Sequence, residues 1–260
     1  MNIVSRFKNQ LNRYYSKHLI KSKSHIFQCG EVMLKYIYIP KRGSRKLITV
    51  FSGMNPKRAS YTYINQLNHI KHNRLYILDD FGDGVLGCFY LGTKEQFQVE
   101  QAVRSLLAEL GEKHQYEQYI FCGSSKGGYA ALNYGFEYPE ATIICGAPQY
   151  RLGDYLLSRK SPQLLHVIAG PVPSGAFLNM LNSRLSEKLV AASDKFIGTV
   201  YLHYSDVEHT YDEHIRFLLQ DLEKYHYHYE TDRKDYPLHD QVSQYFPEYL
   251  IRSVLEATEN

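Results

Sequence analysis

The ten residues Tyr119-Ile-Phe-Cys-Gly-Ser-Ser-Lys-Gly-Gly128 constrain the fold more than any other part of the chain. Tyr119 to Cys122 reads as a buried strand, Gly123-Ser124-Ser125-Lys126-Gly127 fits G-x-S-x-G, and a helical pattern follows from about Lys126 to Phe136. G-x-S-x-G alone is a weak signal, because glycine and serine are common in turns. Between a strand and a helix it describes a nucleophile elbow, a tight turn that projects the serine Oγ above the sheet. The flanking glycines relieve the crowding of such a turn, and Gly128, Ala130 and Ala131 let the helix approach its neighbours closely. The competing reading, a phosphate-binding turn, would require G-x-x-x-x-G-K-[ST], which is not met. Ser125 is therefore the candidate nucleophile, and Ser124 points elsewhere.

A serine hydroxyl needs a histidine base, itself oriented by a carboxylate. In this architecture the acid follows a late strand and the histidine follows the last one. Tyr201-Leu-His-Tyr-Ser-Asp206 reads as a strand ending in an acid, and His239 ends the loop after an expected final strand Tyr225 to Glu230. Asp206 is the expected acid, with Glu208 and Asp212 as substitutes from the same loop. His239 is the expected base, with His209 the rival among twelve histidines. Acyl chemistry also needs donors for a tetrahedral oxyanion. The backbone N–H of Lys126 supplies one, and that of Met54 or Gly53, in the turn after the strand Lys46 to Phe51, supplies the second.

Around this centre the sequence alternates between strand and helix patterns. Strands are expected at His25 to Cys29, Val32 to Ile39 and Lys46 to Phe51, as a consecutive meander, then at Arg74 to Leu78, Thr142 to Cys145 and Gly198 to Tyr204. Helices are expected at Tyr61 to His69, Lys94 to Leu110 with Gly111 as C-cap, His214 to Lys224 and through the C-terminal region to Glu256, where Pro247 restarts the helix. Residues 149–195 interrupt the rhythm as a helical insertion, or lid. The expected fold is a single α/β domain over 25–260, a mostly parallel twisted sheet with helices on both faces.

Residues 1–24 read as a separate basic amphipathic helix. The first 30 residues hold Arg6, Lys8, Arg13, Lys17, Lys21 and Lys23 and no acid, while the other 230 are slightly acidic, with 24 basic and 27 acidic residues. This segment either packs on the body with a solvated basic face or docks on an anionic membrane surface, polysaccharide or partner. The slightly acidic remainder argues against a nucleic-acid partner. No apolar run reaches the roughly 18 residues of a membrane span, and no signal-peptide core precedes the domain, so a cytoplasmic protein is expected, docked peripherally at the inner membrane face if the first segment binds there. Cys29, Cys88, Cys122 and Cys145 lack metal-ligand spacing and read as reduced thiols, and no metal is expected.

Several strings resemble one group: α/β-hydrolase-type O-acetyltransferases of bacterial surface (capsular) polysaccharides, with the related accessory-Sec glycan O-acetyltransferases. They are Phe51-Ser-Gly53, Asp79-Asp-Phe-Gly82 with Gly87-Cys-Phe-Tyr-Leu-Gly92, Phe121-Cys-Gly-Ser-Ser-Lys-Gly-Gly128, and Ala147-Pro-Gln149 with Gly153-Asp-Tyr155, within roughly residues 45 to 250. The resemblance implies an α/β-hydrolase fold and transfer of acetyl from acetyl-CoA, a co-substrate rather than a bound cofactor, to a sugar hydroxyl through an acetyl-serine. It implies polysaccharide and acetyl-CoA as partners, with docking near capsule assembly machinery. Lys126, Lys57 and Arg58 are then candidates to meet CoA phosphates or an anionic glycan. A serine hydrolase acting on small acyl esters (carboxylesterase, deacetylase or thioesterase) is the alternative, and the intact elbow speaks against a non-catalytic binding module.

Overall fold

The computed structural model describes residues 14–55, 57–158 and 162–259. One eight-stranded sheet organises them, in the order β1-β2-β4-β3-β5-β6-β7-β8. Its strands are β1 (Ser24–Cys29), β2 (Val32–Ile39), β3 (Lys46–Phe51), β4 (Asn73–Ile77), β5 (Gln118–Ser124), β6 (Thr142–Gly146), β7 (Thr199–Ser205) and β8 (Tyr229–Lys234). β1 and β2 form an antiparallel hairpin closed at Cys29↔Val32, with Gly30 at φ 58° in the turn. From β4 through β8 every pairing is parallel.

The first three strands are not a meander. β4 lies between β2 and β3, antiparallel to β2 and parallel to β3. The loop from β2 crosses beneath β4, where buried Asn73 pins it: its Oδ1 accepts from the Lys41 N–H at 2.8 Å and its Nδ2 donates to the Ser44 and Lys46 carbonyls at 2.8 and 3.0 Å. A clamp between residues about thirty positions apart leaves no local pattern. β8 begins four residues after its expected start at Tyr225 and continues to Lys234.

Alternation along the central strands divides the core. Leu47, Phe51, Phe121, Ile143 and Cys145 face one layer, whereas Ile48, Val50, Ile120, Cys122 and Ile144 face the other. Because both faces are covered, these strands read as continuous apolar runs. The first layer is completed by α2 (Gln98–His114), α3 (Lys126–Gly135), α4 (Leu152–Ser158), α5 (Pro162–Ala169), α6 (Gly175–Ala192) and α7 (Arg216–Lys224). The second is completed by α8 (Val242–Glu259) and by α1, helical over 14–23, whose Leu19 and Tyr15 pack inward while Lys17, Lys21 and Lys23 stay exposed. Residues 1–13 of the expected amphipathic segment lie outside the described residues.

Other boundaries shift for local reasons. Residues 61–69 form turns rather than a helix, with Tyr63 at φ 59° interrupting the right-handed path. Helix α2 runs through Gly111 to His114, and Gln115 takes the left-handed cap, its N–H bonded to the Gly111 carbonyl. Pro247 lies inside α8 without ending it. Helices α4 to α6 occupy the 149–195 interruption; Gly153 lets α4 approach α6 so closely that a Cβ would collide with the Leu178 carbonyl. Buried Glu100 of α2 takes Arg184 of α6 on both carboxylate oxygens at 2.6 Å, together with Asn133 of α3 at 2.9 Å, and so ties three helices. All four cysteines are free, and Cys88, Cys122 and Cys145 are buried.

Candidate active site

β5 ends at Ser124 and α3 begins at Lys126, leaving Ser125 at φ 52°, ψ −122° in the turn between them. A side chain tolerates this left-handed backbone only when the surroundings impose it. Here the Ser125 N–H donates to the Gly146 carbonyl of β6 at 2.7 Å, and its own carbonyl accepts from the Tyr129 N–H at 2.9 Å. The glycines are required by contact with β3. A Cβ on Gly123 would stand 2.5 Å from the Gly127 carbonyl carbon and 2.8 Å from the Phe51 carbonyl oxygen, and one on Gly127 would overlap that same oxygen.

His239 opens the short turn His239–Gln241 that leads into α8. The loop carrying it is tied to β7, since the Ser205 hydroxyl donates to the Tyr236 carbonyl at 2.7 Å. His239 Nε2 lies 2.9 Å from Ser125 Oγ. Its Nδ1 lies 3.1 and 3.3 Å from the two carboxylate oxygens of Glu208. A carboxylate on Nδ1 fixes the tautomer: Nδ1 carries the proton and donates to Glu208, and Nε2 accepts from the serine hydroxyl.

Glu208, not Asp206, is thus the acid against His239. Asp206 immediately follows β7 and turns toward the neighbouring strand, where it pairs with Arg233 of β8. Glu208, two residues on, has a side chain with no exposure and accepts from the Thr210 hydroxyl as well as from His239. Asp212 is exposed, 4.0 Å from Arg216. His209 lies outside the relay, its ring 5.8 Å from that of His239.

Lys126 also departs from expectation. Its side chain is buried, with Nζ 3.0 Å from Asp79 Oδ2 and donating to the Leu86 carbonyl at 2.9 Å, so it is not available to a CoA phosphate. Asp79 in turn accepts the Cys88 N–H at 2.9 Å and the Tyr90 N–H at 3.2 Å. Gly87 is needed because a Cβ there would strike the Asp79 carboxylate. Three strings that look unrelated in sequence, Asp79-Asp-Phe-Gly82, Gly87-Cys-Phe-Tyr90 and Ser-Ser-Lys126, therefore meet in one ion pair directly beneath the elbow. Burial, with the Asp79 carboxylate adding to it, pushes the Cys88 thiol well above its ordinary value.

The backbone N–H of Lys126 is at the first position of α3, where no intrahelical acceptor exists. Gly53 and Met54 are half-buried in the turn after β3, and a Cβ on Gly53 would lie 3.4 Å from the Ser124 carbonyl. That turn is held from below, where the Ser52 N–H donates to the Tyr90 hydroxyl at 2.5 Å and the Ser52 hydroxyl to the Ile77 carbonyl at 3.1 Å. Tyr63 OH bonds Ser124 Oγ at 2.5 Å, which directs Ser124 away from the relay. Lys57 and Arg58 are exposed just beyond the turn.

Gln149 is the residue that sequence reasoning did not assign to the site. It follows β6 in Ala147-Pro-Gln149, is fully buried, and places its Nε2 3.0 Å from Ser125 Oγ and 3.4 Å from His239 Nε2. Its place in Ala147-Pro-Gln149, one of the strings that carry the family resemblance, directly after a core strand was the available signal.

The fold agrees with known structures. The capsule O-acetyltransferase of Neisseria meningitidis serogroup A, solved as a histidine-to-alanine mutant in complex with CoA, superposes with a TM-score of 0.71 at 20% identity, over 91% of this chain and 99% of that one. This is an α/β-hydrolase fold. The glycosylation-associated protein complex of Streptococcus agalactiae shares it, with a TM-score of 0.70 at 19% identity over 89% of this chain and 46% of that one. So does the fluorophosphonate-binding serine hydrolase F of Staphylococcus aureus, with a TM-score of 0.62 at 13% identity over 89% of this chain and 96% of that one. No protein-family model and no curated protein sequence matches the chain.

Proposed function

We propose that the protein is a serine acyltransferase that moves acetyl from acetyl-CoA to a hydroxyl of a bacterial surface polysaccharide. The observation that carries this reading is the hydrogen-bonded relay Ser125–His239–Glu208 set in an elbow. The likeness to a capsule O-acetyltransferase that binds CoA supports the donor and the acceptor class. In the first half-reaction His239 Nε2 takes the Ser125 proton while Oγ attacks the thioester carbonyl. The oxyanion is met by the N–H groups of Lys126 and of Gly53 or Met54. The C–S bond then breaks and CoA leaves as the thiol with that proton. In the second, a sugar hydroxyl gives its proton to His239, attacks the acetyl-serine and releases Ser125, which regains the proton. Glu208 keeps the imidazole in the required tautomer and stabilises the imidazolium.

Lys57 and Arg58, exposed beside the oxyanion turn, are assigned to the CoA phosphates or an anionic glycan. The helical insertion is assigned the shielding of the intermediate, and the basic first segment the docking of the protein near glycan assembly at a membrane. The test is CoA release from acetyl-CoA with and without a panel of bacterial surface polysaccharides, for wild type and Ser125→Ala. Acceptor-dependent release in wild type alone is expected. Fast cleavage of p-nitrophenyl acetate with no turnover of acetyl-CoA would overturn the reading in favour of a hydrolase.

A further inference from the structure

We propose that the Gln149 side chain fills the position from which water would deacylate Ser125, and so biases the acyl-enzyme toward transfer rather than hydrolysis. The inference rests on the acyl-serine reading above. Hydrolysis of an acyl-serine needs a water that is bonded to the base and within reach of the acyl carbon. That water must lie beside His239 Nε2 and close to Ser125 Oγ. The amide nitrogen of Gln149 already stands there, 3.4 Å from the first atom and 3.0 Å from the second.

The amide orientation follows from the relay. Nε2 of His239 accepts the serine hydroxyl proton, so Ser125 Oγ has lone pairs free, and these suit the N–H of Gln149 rather than its carbonyl, whose Oε1 is farther, at 3.4 Å. An amide N–H occupies the space of a water without its reactivity: its nitrogen lone pair is delocalised into the carbonyl, so it neither attacks a carbonyl carbon nor gives up a proton to imidazole. The group is also held in place. Gln149 has no exposed surface and follows β6 in the same strand end whose Gly146 carbonyl holds the Ser125 N–H. The His239 side chain keeps 24% exposure, so the solvent side remains the route by which any hydroxyl, the acceptor's or water's, reaches the base. Gln149 closes the buried route alone, and the bias toward transfer holds when a bound acceptor covers the open one.

The experiment follows the acetyl adduct on the full-length protein after a pulse of p-nitrophenyl acetate, using intact mass to give its half-life in buffer, with the p-nitrophenolate burst giving the acylation rate. Wild type is compared with Gln149→Ala and Gln149→Asn, which open the space, and with Gln149→Met, which fills it without a donor. The expected result is an adduct half-life shortened by about tenfold or more in the alanine and asparagine variants, the scale on which placing a nucleophile acts. In the methionine variant it should stay within about threefold of wild type. Damage to the relay would slow acylation and deacylation together, whereas the proposal requires a gain of rate in deacylation. Unchanged half-lives in the alanine and asparagine variants, or equal shortening in the methionine variant, overturn the inference while leaving the acyl-serine intact. Absence of any adduct in wild type overturns the acyl-serine reading itself, and the inference with it.

Discussion

Glu208 reaches His239 because the chain leaves β7 with Asp206 facing β8 and only then turns inward. Arg233 holds the first acid outward, and Thr210 and His239 receive the second. The two carboxylates are separable by mutation. Glu208→Gln is expected to lower kcat by about 10²- to 10⁴-fold by destabilising the correct imidazole tautomer. Asp206→Asn, which loses only a surface ion pair, should stay within a few-fold of wild type; steady-state acyl transfer by both variants checks this, and equal losses would contradict the assignment. Ser125 and His239 were legible in the sequence because a local motif marks one and chain order marks the other. Glu208 was less so, since side-chain direction in a loop has no period, and sequence reading could only keep it as a substitute for Asp206. Gln149 contacts Ser125 from 24 residues away, and no pairwise pattern announces such a contact.

The elbow is an element made rigid from three sides: β3 against Gly127, β6 against the Ser125 N–H, and Asp79 against Lys126 from beneath. The lysine that follows Ser125 is therefore architectural in its side chain, whatever its backbone N–H does. Both partners are buried, so removing one charge strands the other. Lys126→Met should cost about 3–5 kcal/mol of stability in urea unfolding, and Lys126→Met combined with Asp79→Asn should recover part of that loss. Additive losses in the double variant would show that the two groups do not act as a pair. At this scale the elements whose apolar period matches a single buried face were legible, α2 above all, as were the strands covered on both sides. The turns at 61–69 and the crossing of β3 beyond β4 depend on Tyr63 backbone geometry and on the Asn73 clamp, neither of which leaves a periodic trace.

At the scale of the molecule, one mostly parallel sheet carries Ser125, Glu208 and His239 on segments that follow β5, β7 and β8 and converge at the carboxyl ends of these strands. The sheet also buries a titratable group that the chemistry does not use. His203 of β7 has no exposed surface; its Nδ1 bonds Asp232 at 2.7 Å, and Lys234 and Arg252 also face that carboxylate, at 3.0 and 3.7 Å. Burial outweighs the pull of Asp232 and holds His203 below its ordinary 6.5. The unfolded chain then takes up the proton first as pH falls, so stability declines from about pH 6.5 downward until the lowered native value is reached. His203→Gln should flatten that part of the dependence of Tm on pH, and an unchanged slope would assign the acid sensitivity to other groups. The central claim is that Ser125 accepts an acyl group from a thioester and holds it covalently. Intact mass after brief incubation with acetyl-CoA tests it most directly: one acetyl on wild type and none on Ser125→Ala is the predicted result, whereas an equal adduct on both, or CoA release without any adduct in either, would contradict it.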